Sequence, residues 1–295
     1  MPIDNQRPRL VLPALALGLL AVSVAPIIVR LAQGEALPSL FIAAGRLTLS
    51  ALILTPLTLR THRAELASLR RIDLLLAAIT GVILAIHFIT WIYSLEYTSV
   101  LVSVVFVTTS PLWVALIEVV FLKMHIRPAV VVGLLVAVAG GLLIGIGGEG
   151  DATPGRDPVL GGALALAGAV AFACYLVLGR KLRPKLSLLP YIWLVYGFAA
   201  IFLVALAVIA QVPFSGYTTT GYLWIVALAI FPQLLGHSSF NYVLRYLSAT
   251  YVGISSQIEP IGSAFIAFLG FGEVPLPLQI VGSLAILGGV AIATL

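Results

Sequence analysis

Three polar side chains recur at every fourth position within one apolar stretch in the second half of the chain. They are Gln233, His237 and Asn241. If this stretch is helical, the spacing places them on one face, where amide and imidazole groups can exchange hydrogen bonds with a small polar solute. Polar groups of this kind are costly against lipid, so the face should line a cavity or contact another helix. The chemistry that this spacing indicates is binding rather than bond making.

Four further apolar stretches carry aromatic and polar residues that could face the same cavity. We predict these additional substrate-binding residues: His87, Trp91, Phe106, Ser110, Phe172, Tyr175 and Gln257. The alternative role for each polar group is a hydrogen bond between two helices, which contributes about 0.6 to 2 kcal/mol. Tyrosines near helix ends usually anchor a helix at the membrane surface. Four are excluded on this ground: Tyr93, Tyr97, Tyr242 and Tyr246.

Four ionisable residues lie deep inside apolar stretches: Arg46, His87, His237 and Glu259. Charge at membrane depth is costly and suggests function by default. Arg46 could bind a substrate carboxylate, or its long stem could carry the charge outward to the membrane surface; the second role is favoured. Glu259 could carry a proton for ion coupling, or it could cap backbone amides at a helix break. The structural role is favoured for Glu259.

Three prolines interrupt apolar stretches and predict helix breaks or gating points: Pro26, Pro111 and Pro260. A proline inside a helix leaves the carbonyl four residues earlier without its hydrogen bond. In lipid such a carbonyl needs another partner, so a broken helix should line a cavity or contact protein. The alternative is a static kink closed by side chains or water.

Enzyme and nucleotide motifs are not evident. A metalloprotease would need His-Glu-x-x-His, and a serine hydrolase would need Gly-x-Ser-x-Gly, of which Gly236-His-Ser-Ser supplies only a part. The stretch Gly147-Gly-Glu-Gly150 lacks the lysine of a nucleotide-binding loop. We therefore predict no enzymatic activity, no catalytic residues, no metal, no cofactor and no nucleotide-driven partner. The single cysteine, Cys174, cannot form an internal disulfide.

The elements that position these residues follow from composition. Hydrophobic residues make up 61% of the 295-residue chain and charged residues only 9%, whereas soluble domains are about a quarter charged. Apolar runs of about 20 residues can cross a bilayer as helices, and the first run is too long for a signal peptide. We predict an all-α polytopic membrane protein with ten transmembrane helices in the lipid bilayer. Their ranges are 10–31, 37–59, 72–94, 98–121, 126–147, 158–180, 189–210, 221–243, 249–270 and 276–294.

Basic residues indicate how these helices are oriented. With a cytoplasmic amino terminus, 13 of the 16 basic residues fall in inner segments: Arg7, Arg9, Arg60, Arg63, Arg70, Arg71, Lys123, Arg127, Arg180, Lys181, Arg183, Lys185 and Arg245. The positive-inside rule then places both termini in the cytoplasm, with the chain a multi-pass protein of the cell (inner) membrane. The net charge of +5 is scattered over short loops, so it predicts no nucleic-acid partner.

A shift of 149 residues aligns the chain with itself without a gap. The aligned pairs include Tyr93 and Tyr242, Pro111 and Pro260, Gly133 and Gly282, and Gly140 and Gly289. We predict two five-helix repeats at 1–147 and 158–295, joined by an extracytoplasmic linker at 148–157. An odd number of helices in each repeat inverts the second copy, and inverted repeats are typical of secondary transporters.

Small residues form one face of the fifth predicted helix and one face of the tenth. They are Gly133, Ala137, Gly140, Gly141 and Gly145, and Gly282, Ala285, Gly288 and Gly289. Such faces permit close helix contact. We predict that these two helices are a scaffold or a subunit contact, in a monomer or a weak homodimer.

Several features resemble the EamA family of the drug/metabolite transporter superfamily. They are the five-plus-five plan, the paired Tyr and Ser residues before the fourth and ninth helices, Glu259-Pro260 and Gly272-Glu273. The resemblance covers nearly the whole chain and implies a ten-helix carrier that moves small organic solutes, commonly outward, through a cavity between the halves. The first copy departs from the pattern with Ser110-Pro111 and Lys123-Met-His125, so a mechanism with two equivalent glutamates is not supported.

The inverted repeat and the paired prolines favour a secondary transporter of small organic metabolites that works by alternating access. Together with the resemblance, a sparse polar and aromatic pocket favours export of amino acids. The alternatives are export of cationic drugs or of other metabolites such as nucleotide sugars or nucleosides, and, less favoured, a channel or an intramembrane enzyme. Proton antiport, exchange and facilitated diffusion stay open as coupling modes.

Overall fold

Helices dominate the computed structural model of the chain. The structure describes residues 9–122, 127–147, 157–183, 185–243, 245–247, 255–256 and 259–294. No β-strand occurs among these residues. The prediction of an all-α protein is therefore confirmed.

The helices follow one another along the chain with short connections. Those of the first half are α1 (Val11–Ser23), α2 (Ala25–Gly34), α3 (Ser39–Thr61), α4 (Arg63–Ala67), α5 (Arg71–Tyr97), α6 (Val100–Val107), α7 (Ser110–Leu122) and α8 (Pro128–Gly147). Those of the second half are α9 (Pro158–Leu182), α10 (Leu188–Ile209), α11 (Thr219–Leu228), α12 (Ser238–Val243), α13 (Glu259–Phe271) and α14 (Pro277–Thr294). A π-helical segment, Ala229–His237, joins α11 to α12.

Within the described residues, seven helical stretches are long and apolar enough to cross a bilayer. They are Val11–Gly34, Ser39–Thr61, Arg71–Tyr97, Val100–Ile117, Pro158–Gly179, Leu188–Ile209 and Thr219–Val243. Shorter apolar helices accompany them at Pro128–Leu143, Glu259–Phe271 and Pro277–Ile292. Large apolar side chains such as Leu135, Ile201 and Leu284 point outward, as expected where the surrounding solvent is lipid. The chain is a polytopic membrane protein.

Side chains at helix starts replace backbone partners that the first turn lacks. The Leu160 amide donates to the Asp157 carboxylate at 3.0 Å, and the Gly221 amide donates to the Thr218 hydroxyl at 2.9 Å. These N-caps satisfy amides that have no helical carbonyl. They define where α9 and α11 begin.

The three singled-out prolines stand at the starts of helical segments. Pro26, Pro111 and Pro260 are the second residues of α2, α7 and α13. Proline suits this position because its missing N–H would have no helical partner there. One residue separates α1 from α2, and two separate α6 from α7. Pro26 and Pro111 therefore begin new segments after a break and do not kink continuous helices.

The π-helical segment differs from the regular helix predicted for residues 221–243. Pro232 lies inside it. In an α-helix this ring would clash with the carbonyl four residues earlier, whereas the wider π turn has room for it, and such turns are frequent at functional sites. Gln233 and His237 lie in this segment and Asn241 lies in α12, so the expectation that the three share one face stays a prediction.

Helix contacts occur in pairs across the two halves of the chain. α5 packs on α9, and α1 packs on the π-helical segment and α12. α6 packs on α9, while α13 packs on α1; α3 packs on α10, and α8 packs on α14. This is the pattern that two structurally equivalent halves produce when each helix has a counterpart in the other half.

Small residues bring α8 and α14 into direct backbone contact. A Cβ atom on Gly140 would lie 2.5 Å from the Gly282 carbonyl oxygen, so only hydrogen fits there. Part of each small-residue face is thus occupied by the other helix of the same chain. Other residues of α8 and α14, such as Leu135 and Leu284, are exposed. The oligomeric state stays a prediction.

Candidate functional site

A cavity of about 70 Å³ lies where the interrupted helices meet. Both halves contribute to it: α1, α2, α5 and the α6–α7 joint from the first, and α9, the π-helical segment, α12 and the start of α13 from the second. Its lining residues are Val22, Ala25, His87, Trp91, Val107, Thr108, Ser110, Phe172, His237, Phe240, Ser256 and Glu259. Pockets for drug-sized ligands measure roughly 300 to 1,000 Å³. In this conformation the cavity therefore holds only a few water molecules or part of a small solute.

Six of the predicted site residues meet at this cavity: His87, Trp91, Ser110, Phe172, His237 and Glu259. Four others lie outside its lining: Phe106, Tyr175, Gln233 and Asn241. Gln257 lies outside the described residues. Glu259 is the acidic member of the lining, and Pro111 and Pro260 directly follow two lining residues, Ser110 and Glu259. The prolines thus set the positions at which polar side chains enter the cavity.

Aromatic and imidazole rings form one wall of the cavity. The rings of His87 and Trp91 are nearly parallel, with centroids 6.3 Å apart and an interplanar angle of 3°. Phe172 of α9 lies 4.9 Å from His87 and 5.9 Å from His237, measured between ring centroids. These distances are within the range of aromatic contacts. Rings from α5, α9 and the π-helical segment therefore build one surface, although the sequence places them far apart.

Hydrogen bonds orient the donors and acceptors of this wall. His87 Nδ1 lies 2.9 Å from the Gly168 carbonyl oxygen. Because a carbonyl only accepts, Nδ1 carries a proton, and a neutral imidazole then presents Nε2 as an acceptor. Trp91 Nε1 is buried and has no hydrogen-bond partner among the described residues. The wall thus offers a solute an indole N–H donor beside an imidazole.

Tyr175 and Asn241 contact each other behind the cavity wall. The Tyr175 hydroxyl donates to Asn241 Oδ1 at 2.9 Å, and Asn241 Nδ2 donates to the His237 carbonyl at 2.8 Å. This chain of hydrogen bonds ties α9 to the end of the π-helical segment. Phe106 faces another way, because Cβ atoms on Gly141 and Gly162 would lie 3.3 and 3.4 Å from its ring. It packs between α8 and α9.

Arg46 is fully buried, so the predicted outward reach of its side chain is wrong. Its exposed fraction is 0%. Its Nη2 donates to Gln233 Oε1 at 2.9 Å, and its guanidinium carbon lies 4.2 Å above the centre of the Phe88 ring. Cation–π and hydrogen-bond contacts of this kind hold a guanidinium in place. Sequence reasoning missed this arrangement because Gln233 lies 187 residues away.

Polar contacts close the end of the bundle where α5 ends and α6 begins, here called the Glu273 end. Arg30 Nη1 lies 2.8 Å from Glu273 Oε1, and Arg30 Nη2 donates to the Thr98 carbonyl at 2.6 Å. The Val100 amide donates to Glu273 Oε2 at 3.0 Å. Glu273 thereby joins α2 to the start of α6. The Gly272-Glu273 motif could have indicated this role.

The opposite end of α5, here called the Asp73 end, carries its own polar links. Lys185 donates to Asp73, and the Ser187 amide and hydroxyl donate to the two Glu65 carboxylate oxygens at 2.6 and 2.5 Å. These contacts join the connection between α3 and α5 to the start of α10. Charged links therefore lie at both ends of the helices that line the cavity.

A metal centre is not assembled from the residues that the structure describes. In that part of the chain, no group of three or more His, Cys, Asp or Glu residues could hold a metal ion. The groups present at the cavity suit noncovalent recognition of an organic solute by rings and hydrogen bonds.

Two curated relatives from Bacillus subtilis (strain 168) are similar to parts of the chain. The "Uncharacterized transporter YdfC" is 26% identical over 190 residues, which span 64% of this chain but only 60% of that relative. The "Uncharacterized transporter YetK" is 23% identical over 226 residues, which span 75% of this chain and 67% of that relative. Both names describe transporters.

A solved structure described only as "Crystal structure of protein" has the same fold, with a TM-score of 0.64 and 20% sequence identity over 96% of both chains. The model of the EamA-like transporter family matches the chain twice, at residues 10–146 and 159–295. These two matches together cover nearly the whole chain. The chain therefore belongs to the EamA-like transporter family, as the sequence resemblance indicated.

Proposed function

We propose that the chain is a secondary transporter that exports amino acids by alternating access through the cavity. The observation that carries this proposal is the position of the cavity, where broken helices of both halves meet around aromatic and polar side chains. Small rearrangements at such breaks can open a site to one side of the membrane or the other. The chain belongs to a transporter family, which supports a carrier over a channel.

The proposed topology has ten membrane spans in two inverted five-helix repeats, at 1–147 and 158–295, with the linker 148–157 outside. Both termini lie in the cytoplasm of a cell whose inner membrane holds the protein. The paired helix contacts support this arrangement, and so do the two matches to one family model. In this topology the Glu273 end faces outward and the Asp73 end faces inward.

Amino acids suit the groups around the cavity. A carboxylate accepts hydrogen bonds, and Trp91 Nε1 is a buried donor without a partner among the described residues. An ammonium group is attracted to aromatic faces and to carboxylates, and Trp91, Phe172 and Glu259 supply these. The present volume of about 70 Å³ is too small for a large drug, so a small zwitterion needs the least opening of the wall.

Counterflow tests this proposal with purified protein in proteoliposomes. Vesicles loaded with one unlabelled amino acid should accumulate the same labelled amino acid, and the uptake should saturate. His237→Ala removes an imidazole ring from the cavity wall, and Trp91→Phe removes the indole N–H donor. Each variant should therefore reduce this uptake at least tenfold. Arg60→Gln is a matched control, since Arg60 is exposed near the end of α3. Absence of counterflow with all twenty amino acids would reject amino-acid export.

Cationic drugs are a second candidate class because Glu259 lies among aromatic side chains in the cavity lining. Such sites attract organic cations through ring faces and a carboxylate. Efflux of ethidium from the same proteoliposomes tests this class. Ethidium efflux that is lost in Glu259→Gln, in vesicles that show no amino-acid counterflow, would favour the drug exporter.

A further inference from the structure

Several buried hydrogen-bond donors near the cavity have no partner among the described residues. Three buried nitrogen atoms have no hydrogen-bond partner in the part of the chain that the structure describes: Arg46 Nε, Arg46 Nη1 and Trp91 Nε1. Unpaired polar atoms in a protein interior are unfavourable, and each one needs an explanation. All three are donors, so a solute that pairs with them must supply acceptors.

Arg46 also has no ionic partner in the part of the chain that the structure describes. Its one side-chain hydrogen bond goes to the neutral amide of Gln233, and no described carboxylate lies within salt-bridge distance. A guanidinium at membrane depth normally pairs with an anion. Its planar fork of N–H groups fits a carboxylate with two parallel hydrogen bonds.

One aromatic ring separates Arg46 from the cavity wall. The guanidinium carbon lies 4.2 Å from the Phe88 ring centre. The Phe88 ring lies 4.8 Å from His87 and 5.2 Å from His237 between centroids, and both imidazoles line the cavity. A shift of the Phe88 side chain would therefore bring the guanidinium into contact with the cavity.

We propose that Arg46 binds the carboxylate of the transported solute once Phe88 moves aside. Gln233 holds the guanidinium from the π-helical segment, and Trp91 donates a further hydrogen bond from the cavity wall. The solute class is then a small organic acid or zwitterion with one carboxylate. This inference rests on the proposed transport function but adds the recognition chemistry.

Three kinds of probe distinguish recognition of the carboxylate from recognition of the rest of the solute. Thermal unfolding of the purified full chain is measured with each amino acid, with its carboxamide and with propionate at matched ionic strength. Carboxylate probes should raise the Tm of wild-type protein in a saturable manner. The carboxamides should need at least tenfold higher concentrations for the same rise in Tm. If no carboxylate probe stabilises wild-type protein, the proposal is overturned.

Two variants assign the effect to Arg46. Arg46→Gln should weaken carboxylate binding by about thirtyfold or more and leave carboxamide binding unchanged. Gln233→Glu places a carboxylate beside the guanidinium, so it should raise Tm and block carboxylate probes even where Arg46→Gln does not fold. Arg60→Gln lies on the same helix and should behave as wild type. A Gln233→Glu protein that binds carboxylates with wild-type affinity would overturn the proposal.

Failure of this inference differs from failure of amino-acid export. Amino-acid counterflow that carboxamides inhibit as strongly as the acids would reject the role of Arg46 and retain export. In the other case, propionate stabilises the wild-type protein, Gln233→Glu abolishes this stabilisation, and no amino acid shows counterflow. These results would retain the carboxylate site and reject amino acids as substrates.

Discussion

Gly140 and Gly289 make the same contact in opposite directions across the interface of α8 and α14. A Cβ atom on Gly140 would lie 2.5 Å from the Gly282 carbonyl oxygen, and a Cβ atom on Gly289 would lie 2.5 Å from the Gly133 carbonyl oxygen. The same sequence shift carries Gly140 onto Gly289 and Gly133 onto Gly282. A pseudo-twofold relation between the two helices accounts for both contacts at once.

Gly140→Ala should destabilise the protein because the new methyl group meets backbone atoms, which cannot move as a side chain can. Overpacking of this kind costs about 1 to 3 kcal/mol. Thermal unfolding in detergent should show a lower Tm for this variant. Gly288→Ala is the control, since nothing lies within 4 Å of a Cβ atom there, and its Tm should match or exceed that of wild type. Equal losses in both variants would contradict the contact.

Short-range patterns in the sequence predicted the helices but not which surfaces meet. The spacing of small residues indicated close contact for the fifth and tenth helices, yet a face of small residues fits another chain as well as a neighbouring helix. The structure shows that glycines of α8 and α14 pack directly against each other. The apolar runs and the positions of Pro26 and Pro111 were sufficient to predict the breaks, because proline acts on its own helix.

Residues of the candidate site could be predicted only where a polar or aromatic residue stands in an apolar stretch of the sequence. His87, Trp91 and His237 are polar or aromatic residues in apolar stretches, and they meet at the cavity. The role of Arg46 was not predictable, because a long stem can reach the membrane surface or stay buried, depending on a distant partner. Gln233 contacts Arg46 and lies outside the cavity lining, and its spacing from His237 could not indicate this distant partner.

Pro232→Ala should disturb the site more than the fold. Alanine restores an amide donor and lacks the ring that would clash in an α-helix, so the segment can tighten from π to α geometry. That change would rotate Gln233 relative to His237 and separate Gln233 from Arg46. We expect counterflow to fall at least fivefold at a Tm near that of wild type. Unchanged counterflow would mean that Pro232 does not determine the geometry of this segment.

Glu273→Gln should loosen the Glu273 end. The Glu273 carboxylate forms an ion pair with Arg30 and accepts a hydrogen bond from the Val100 amide. Hydrogen bonds to charged groups contribute about 1.5 to 3 kcal/mol each. In a Ser110→Cys, Cys174→Ser background, the thiol at position 110 should then react roughly tenfold faster with an impermeant thiol reagent added outside.

Glu35→Gln serves as the control for this experiment. Glu35 accepts a hydrogen bond from Thr218 at 2.5 Å, so it links the end of α2 to the start of α11 and not to α6. Labelling at position 110 should therefore match wild type in this variant. The Glu273 end does not act as a closure if Glu273→Gln also labels at the wild-type rate.

Ser263→Ala tests how the break between α1 and α2 is stabilised. The Ser263 hydroxyl donates to the Ser23 carbonyl, the last of α1, at 2.8 Å, and Ser263 is fully buried. Without this donor the carbonyl stays unpaired in the interior, which costs about 1 to 3 kcal/mol. We expect a lower Tm for Ser263→Ala and no change for Ser215→Ala, which lies in an exposed connection. Equal Tm values for both variants would mean that the break satisfies its carbonyl in another way, and the link from α13 to α1 would then be packing alone.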